Sequence, residues 1–310
     1  MGRRVRVQTE DAGYFVSNRC LQQRFLLTPS KAVNAVILGC LARAAVEYGV
    51  VIYGFVFMSN HFHMLLSAPR LNLSEFMGAF QGQLATEINR LRGREGYVWQ
   101  GRFRYEHVVD GPAMVDKMAY MMSNPTEADL VAHPDRWPGV CSWDAHMGDG
   151  RVTGHRLLKK EFRRLRRQDP DLTWEEALEE ADHTFELAPI PAWADLDPET
   201  YRTTLRELVD DRCEAYQREL KRRRRNFMGA RKVVAQHWNR RPASTDRSPQ
   251  PLCHCHDPKR REEHVEWYFE VCGRYRKAMG DYTSESARKR ARAAFPHGTY
   301  PPGRRRAAGA

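Results

Sequence analysis

The sequence predicts an α+β fold in which helices cover one face of an antiparallel sheet, followed by a basic, mainly helical C-terminal extension. Three observations lead to this prediction. Residues 1–149 alternate between apolar spacings typical of helices and short apolar runs typical of strands. The resulting order is strand, helix, two strands, helix, strand, helix. After residue 150, charged residues dominate and the spacing is helical.

Each element of the first part has its own signals at the ends. A helix is expected to begin at Thr28 and Pro29 and to stop at Gly49, where glycine suits a left-handed cap. Asn72 is expected to cap the next helix, in which apolar residues recur at helical spacing. The predicted strands between and after these helices are 50–57, 61–67 and 103–109.

The rest of the chain predicts further helices and a basic tail. The expected helices are 174–181, 201–225 and 264–279, with a loop over 241–258 and a disordered tail that contains 301–306. We therefore expect three segments: a catalytic domain over 1–149, a basic helical extension over 150–240, and a C-terminal loop, helix and tail over 241–310.

The composition favours a polyanionic partner. Lys and Arg number 50 against 39 Asp and Glu, which gives a formal net charge of +11. The positive charges occur in runs, such as 221–225 and 288–290, and such runs favour nucleic acid. An acidic membrane surface is the rival partner, but no apolar stretch approaches the roughly 18 residues of a membrane span. No signal peptide is visible, so we expect a cytoplasmic, nucleoid-associated protein.

The seven cysteines are odd in number and scattered, which argues against a disulfide framework and for a reducing compartment. One cluster, Cys253 to His256, has the residue types of half a zinc site. A second spaced pair is missing, so a turn with incidental ligands is the favoured interpretation.

His61 and His63 are the first candidate functional residues. They lie in residues 58–66 (MSNHFHMLL), a short apolar run that favours a buried strand. Side chains alternate along a strand, so both imidazoles share one face and can hold a divalent metal. The pattern alone is also typical of two polar residues on a wet sheet face, and on this evidence both interpretations remain open.

A tyrosine and an asparagine share a face of a later helix. Asp110 and Pro112 mark the predicted start of this helix, and Pro125 marks its end. Tyr120 and Asn124 are four residues apart, so both side chains can project toward the two histidines.

Four segments of the first half resemble the single-tyrosine HUH transposases. They are the histidine segment 58–66, the tyrosine segment 120–131 (YMMSNPTEADLV), the turn 98–103 (VWQGRF) and the first strand 14–19 (YFVSNR). Their order and spacing over residues 10–145 are similar to those of REP-associated tyrosine transposases and insertion-sequence-200-like transposases. The resemblance implies a ferredoxin-like sheet, which the predicted order of elements fits.

The sequence departs from the family pattern at two places. Phe15 stands where the first strand often carries a histidine. In the tyrosine segment, Glu127 replaces a usual basic residue and Asp129 replaces a glycine. These changes leave Tyr120 and Asn124 intact and predict a weaker DNA contact near the helix end.

The resemblance implies a metal-dependent enzyme that cleaves and rejoins DNA by transesterification. Tyr120 would be the catalytic nucleophile, forming a 5′-phosphotyrosine intermediate. His61, His63 and Asn124 would hold Mg²⁺ or Mn²⁺, since a mixed nitrogen and oxygen set suits these ions better than structural zinc. Lys117 would stabilise the phenolate, although an ordinary surface lysine is an equal alternative.

DNA is the expected partner. The candidate DNA contacts are Arg102, Lys117, Lys221, Arg222, Arg223, Arg224 and Arg225. A scissile phosphate must be extended to enter a metal site, so single-stranded or hairpin DNA is the expected substrate. The resemblance implies repeated extragenic palindromes as targets and a homodimer. Two alternatives remain: a domesticated DNA-binding protein that no longer cuts, and a metal-dependent phosphoesterase that uses water.

Overall fold

The computed structural model describes residues 4–243, 251–283 and 294–301. The described strands are β1 (Gly13–Arg19), β2 (Val51–Phe57), β3 (His61–Ser67), β4 (Arg104–Val108), β5 (Arg151–His155), β6 (Asp182–Glu186) and β7 (Cys253–His254). Five of them form the main sheet in the order β2-β3-β1-β4-β7. The first four are antiparallel, and β7 pairs parallel with β4. The order β2-β3-β1-β4 is that of a ferredoxin-like sheet.

Helices account for most of the remaining described structure. They are α1 (Lys31–Tyr48), α2 (Leu73–Arg92), α3 (Gly111–Glu127), α4 (Trp143–Met147), α5 (Lys159–Gln168), α6 (Trp174–Glu179), α7 (Pro198–Arg222), α8 (Ala230–Val234) and α9 (Pro258–Thr283). None of the described helices is both long and apolar enough to cross a membrane.

The main sheet separates two apolar cores. On one face, Tyr14, Phe57 and Phe62 pack with α1 and α2. On the other, Phe15 and Leu65 pack with the methionines of α3 and with α7. The α+β fold class with an antiparallel sheet is thus confirmed. Helices were expected on one face of the sheet only. α1 and α2 lie on one face, but α3 lies on the other, because β1 and β3 carry apolar side chains on both faces.

The helix ends follow the capping signals with small shifts. Ser30, not Thr28, caps α1 by accepting a hydrogen bond from the Val33 amide, and Gly49 ends the helix with a φ of 60°. The predicted end of α3 at Pro125 is wrong by one half-turn, since the helix runs to Glu127. Proline removes one backbone donor, but the following turn still closes, because the Ala128 amide donates to the Asn124 carbonyl.

The region after residue 150 contains strands as well as helices. β5 and β6 form a separate two-stranded antiparallel sheet that packs on α1, with α5 and α6 between them in sequence. Gly39 of α1 and Gly154 of β5 permit this contact, since a Cβ on either would collide with backbone of the opposing element. The expected helix 174–181 is therefore shorter and leads directly into β6.

The C-terminal segment also differs from expectation. The predicted loop 241–258 contains β7, which extends the main sheet, and α9 begins earlier and ends later than predicted. Most of the predicted basic tail lies outside the described residues. The division into segments at 149 and 240 stays a prediction.

Candidate active site

His61 and His63 lie on the sheet face that α3 covers. β3 is a central strand, and its register with β1 pairs His61 with Arg19 and His63 with Ser17. The two imidazole rings are 5.1 Å apart between centroids, with their planes nearly perpendicular. The sheet therefore presents the two histidines side by side, as their spacing predicts.

Tyr120 faces these histidines from α3. Its ring centroid is 5.7 Å from that of His63. Phe15 of β1 contacts both: its ring stacks on His63 at 5.0 Å and meets the Tyr120 ring edge-on at 6.0 Å. The phenol and the imidazole pair are thus brought together within one chain, and Phe15 fills the space beside them.

Asn124 completes the group one helical turn after Tyr120. It is buried, and its side chain is close enough to His61 to raise the pKa of that imidazole and close enough to Tyr120 to lower the pKa of the phenol. Nevertheless, Asn124 Oδ1 has no hydrogen-bond partner among the described residues, and neither has His63 Nδ1. Buried polar atoms are rarely left unpaired, so both atoms are suited to a ligand.

The two imidazoles are held in the neutral form. Burial, and next the positive charge of Arg19, lower the pKa of His61 to about 4. Burial, and next the neighbouring His61, lower the pKa of His63 well below its ordinary value. A neutral imidazole keeps the lone pair that binds a metal.

The donor set fits a divalent metal ion. Two imidazole nitrogens and one amide oxygen are groups that bind divalent metals, and phosphate oxygens or water would complete the coordination. Within the described ranges, no group of three or more His, Cys, Asp or Glu side chains is arranged to hold a metal. The candidate set His61, His63 and Asn124 contains only two such residues, so it is a different kind of site.

Cationic groups surround the Tyr120 phenol. Burial, followed by the nearby Glu127, raises the pKa of Tyr120, whereas Arg212, Arg19 and Asn124 oppose this shift. The Arg212 guanidinium carbon lies 5.7 Å from the centre of the Tyr120 ring, and Nζ of Lys117 lies 5.4 Å from it. Of these two cations, Arg212 lowers the pKa of the phenol, so its charge favours the ionised form of Tyr120.

An open cleft of about 400 Å³ gives access to these side chains. Its walls include Arg102, Arg104 and Glu106 in addition to the histidines, Lys117 and Tyr120. Arg102 is exposed and lines this cleft, and its contact with DNA stays a prediction. His254 of β7 also reaches the cleft, where its Nε2 lies 2.7 Å from Oε2 of Glu106.

The basic run at the end of α7 is only partly near this site. All five side chains from Lys221 to Arg225 are exposed. Arg222 and Arg223 pair with Glu219 of the same helix. Arg225 lines a second cleft that also contains His61 and Arg19. Arg225 is therefore the member of the run that shares a cleft with His61.

Asp129 explains one departure from the family pattern. Its φ of 59° is in the left-handed region, where the glycine of the related sequences is favoured. Here the Asp129 carboxylate accepts a hydrogen bond from the Tyr216 hydroxyl at 2.6 Å and pairs with Arg225 at 2.5 Å. The aspartate thus ties the end of α3 to α7.

The Cys253 to His256 cluster engages carboxylates. His254 contacts Glu106, Cys255 donates to Asp110 at 2.9 Å, and His256 Nε2 lies 2.7 Å from Asp116. These contacts favour the interpretation of incidental ligands over a zinc site.

The sequence did not predict that three further residues lie near the site. Arg212 approaches Tyr120 only because α7 packs on α3, and His254 approaches Glu106 only because β7 joins the sheet. Arg19 was seen as part of a strand motif but not as a neighbour of His61. The β1–β3 register, once assumed, would have placed Arg19 opposite His61.

Two histidines on a central strand thus face one tyrosine on a helix that packs against it. Residues 20–117, less than half of the chain, match the protein family described as "Transposase IS200 like", which agrees with the resemblance to transposases that the motifs of this part of the chain carry. The match includes His61 and His63 and ends three residues before Tyr120. No curated protein matches the chain.

Two solved structures are similar to part of the chain. One is described as a REP-associated tyrosine transposase bound to a REP hairpin; it is 14% identical, with a TM-score of 0.40, over 48% of this chain and 87% of that one. The other is a putative transposase from Deinococcus radiodurans R1, 14% identical, with a TM-score of 0.27, over 40% of this chain and 95% of that one.

Proposed function

We propose that this chain is a transposase that cleaves and rejoins single-stranded or hairpin DNA through a 5′-phosphotyrosine at Tyr120. One observation carries the proposal: the Tyr120 ring lies 5.7 Å from His63, beside buried His63 Nδ1 and Asn124 Oδ1 atoms that have no partner among the described residues. Metal-assisted transesterification requires a nucleophile beside nitrogen or oxygen atoms that can bind a metal ion, and these atoms meet that requirement.

His61, His63 and Asn124 would hold the divalent metal, Mg²⁺ or Mn²⁺. When bound, the metal supplies Lewis-acid stabilisation of the negative charge that develops on a phosphate oxygen. The chain's own contribution is to keep both imidazoles neutral through burial and to orient His63 by stacking on Phe15.

The proposed step conserves the number of phosphoester bonds. The Tyr120 oxygen attacks the phosphorus, the bond from phosphorus to the 3′ oxygen breaks, the phenol proton passes to solvent, and the 3′ oxygen takes up a proton. Arg212 and Lys117 would stabilise the phenolate as it forms. Because the phosphotyrosine retains a phosphodiester, a 3′ hydroxyl can reverse the step without ATP.

The DNA partner is supported by charge and access. The net charge of +11 and the cleft residues Arg102 and Lys117 favour a polyanion. The motif resemblance suggests hairpins of repeated extragenic palindromes as targets. The proposed homodimer rests on the same resemblance, although a single chain already holds Tyr120 together with both histidines. The proposed nucleoid-associated cytoplasmic location follows from DNA as the partner and from the scattered cysteines.

Incubation of the protein with end-labelled hairpin DNA and Mn²⁺ tests the proposal. We expect a denaturation-resistant protein–DNA adduct that disappears in Tyr120→Phe and on addition of a chelator. Tyr97→Phe is the matched control, since Tyr97 is 81% exposed on a loop away from the histidines.

Two other outcomes would identify the alternative functions. Hairpin binding without cleavage under these conditions would favour a domesticated DNA-binding protein. Cleavage that persists in Tyr120→Phe would favour a phosphoesterase that uses water.

A further inference from the structure

A second cavity lies at the edge of β4, outside the active-site cleft. We call it the β4-edge cavity; its lining includes Arg4, Arg6, Arg102, Tyr105, His264 and Tyr268, and its volume is about 470 Å³. That volume is within the ~300–1,000 Å³ range of small-ligand sites. β7 pairs with β4 only at His107 and Val108, so the first half of β4 has no described strand on the side away from β1, and the cavity occupies this side.

The cavity is closed by two segments outside the part of the chain that matches the transposase family, the N-terminal arm and α9, which pack against residues 102–107 inside the match. The N-terminal arm is held against β4, because the Tyr105 hydroxyl exchanges hydrogen bonds with the Val7 backbone. Helix α9 is held against the arm, because the Tyr268 hydroxyl donates to the Val5 carbonyl. These bonds use the hydroxyls and leave the aromatic rings to line the cavity.

The chemistry of the walls matches a nucleotide. Arg4, Arg102 and Arg104 contribute positive charge, while the acidic Glu106 is already paired with His254. Aromatic rings are the usual stacking surfaces for single-stranded bases, and guanidinium groups bind phosphate. His264 adds a buried Nε2 with no hydrogen-bond partner in the described part of the chain, which can pair with the edge of a base.

The cavity adjoins the active-site cleft. Arg102, Arg104 and Glu106 line both spaces, so a strand that leaves Tyr120 across β4 reaches the cavity by passing over these side chains. The Arg6 guanidinium stacks on the Phe103 ring at 3.6 Å and donates to the Phe103 carbonyl, which fixes the wall between them.

We propose that the β4-edge cavity binds one nucleotide of the DNA strand that extends from the active-site cleft. The base stacks against Tyr105 and Tyr268 and hydrogen-bonds to His264, and the flanking phosphates contact Arg4 and Arg102. The inference rests on the proposed function in one respect only, namely that the bound strand is the one that Tyr120 cleaves.

Photo-crosslinking tests the inference in the unmutated cavity. Single-stranded 12-mers that carry 5-iodouracil at successive positions are irradiated with the full-length Tyr120→Phe protein, so that no cleavage interferes. We expect one position to crosslink to Tyr105, His264 or Tyr268, as mapped by peptide mass spectrometry. Crosslinks that avoid all three residues at every position would overturn the inference.

Salt dependence gives a second readout. The slope of log Kd against log salt concentration is about 0.7 per phosphate contact for single strands, so the Arg4→Ala/Arg102→Ala double variant should lower the slope by about 1.4. Lys31→Ala/Arg90→Ala is the matched control, because it removes the same charge from exposed sites on the helices over the opposite sheet face. Equal slopes in both double variants would contradict the proposal.

The outcomes also separate this inference from the proposed function. A crosslink in the cavity, together with wild-type protein that forms no covalent adduct, supports the cavity and overturns the cleavage mechanism. A Tyr120 adduct without a cavity crosslink does the reverse.

Discussion

Phe15 stands where related sequences often carry a histidine, and its ring contacts both His63 and Tyr120. An aromatic hydrocarbon cannot ligate a metal, so the ligands proposed for this chain are two imidazoles and one amide. The ring does fix the orientation of His63 by stacking and excludes water from one side of the phenol. At the residue scale, the packed Phe15 ring thus stands in place of a polar side chain, while His63 and Tyr120 still face each other.

Arg212 tests the electrostatic account of Tyr120. Its guanidinium lies over the Tyr120 ring and its Nε donates to Glu127 at 2.5 Å. Arg212→Ala should slow adduct formation at saturating DNA about tenfold, which corresponds to about 1.4 kcal/mol of lost stabilisation of the developing charge. Arg206→Ala, an exposed arginine on the same helix, should leave the rate unchanged. Equal rates in both variants would remove Arg212 from the mechanism.

Asp110 predicts a pH dependence of stability. Its carboxylate accepts hydrogen bonds from the amides of Ala113, His256 and Asp257 and from Cys255, and it is 7% exposed. Burial alone would raise its pKa, but the hydrogen bonds outweigh burial and lower the pKa from 3.8 to about 2. The depressed value stabilises the fold above about pH 4, by roughly 2 kcal/mol, and this contribution is lost as the pH falls toward 2.

Asp110→Asn should therefore lower the free energy of unfolding by about 2 kcal/mol at pH 7, with a smaller difference from wild type near pH 2, measured by urea titration at each pH. Asp211→Asn, at an exposed position of α7, is the control. A pH-independent difference would contradict the assigned role of the carboxylate.

The residues of the candidate site divide clearly into predictable and unpredictable ones. His61 and His63 follow from strand alternation, and Tyr120 and Asn124 follow from a four-residue helical spacing, both of which are local rules. Arg212 and His254 depend on contacts between elements more than 90 residues apart in sequence. No local pattern encodes such contacts, because they result from the packing of α7 on α3 and of β7 on β4.

The two-stranded sheet of β5 and β6 shows why the elements after residue 150 were harder to predict. Over only five positions each, β5 alternates buried with exposed residues and β6 alternates half-buried with exposed residues, within a sequence rich in helix-forming charged residues. The sheet is stabilised by its contact with α1, which requires glycine at positions 39 and 154. Tertiary contact thus overrides the local helical preference.

The glycine contact makes an element-scale prediction. Gly154→Ala should lower the free energy of unfolding by about 2 kcal/mol, because the added methyl overlaps the backbone at Leu38. Gly78→Ala in α2 is the control: its methyl would meet no described atom within 4 Å, and alanine should stabilise this helix by about 0.5–1 kcal/mol. Thermal unfolding of both variants measures the difference; a neutral Gly154→Ala would refute the close approach.

At the scale of the whole molecule, the later segments complete the earlier ones. Leu205 and Val209 of α7 belong to the same apolar cluster as Met118 of α3. β7 extends the main sheet, and Asp110 links the start of α3 to the segment before α9. The proposed active site therefore draws residues from the first 130 positions and from two distant segments.

This arrangement predicts that α3 and α7 unfold together. Calorimetry should give one transition with equal calorimetric and van't Hoff enthalpies for the region that contains them. Leu205→Ala should lower the midpoint temperature of that transition, because truncating a buried leucine lowers the free energy of unfolding by roughly 2–5 kcal/mol. A separate transition at lower temperature, and a Leu205→Ala variant that lowers the midpoint of this transition alone, would show that 150–240 folds as an independent domain.

The central claim is that one phenol becomes covalently joined to DNA beside the His61 and His63 pair. Mass spectrometry of the trapped adduct measures this most directly, because the tryptic peptide 118–136 contains Tyr120 and no other tyrosine. We expect that peptide to carry the 5′ phosphate of the cleaved strand, and to lose the modification in His63→Ala. An adduct on any other tyrosine, or an unmodified 118–136 peptide from cleaved reactions, would contradict the account.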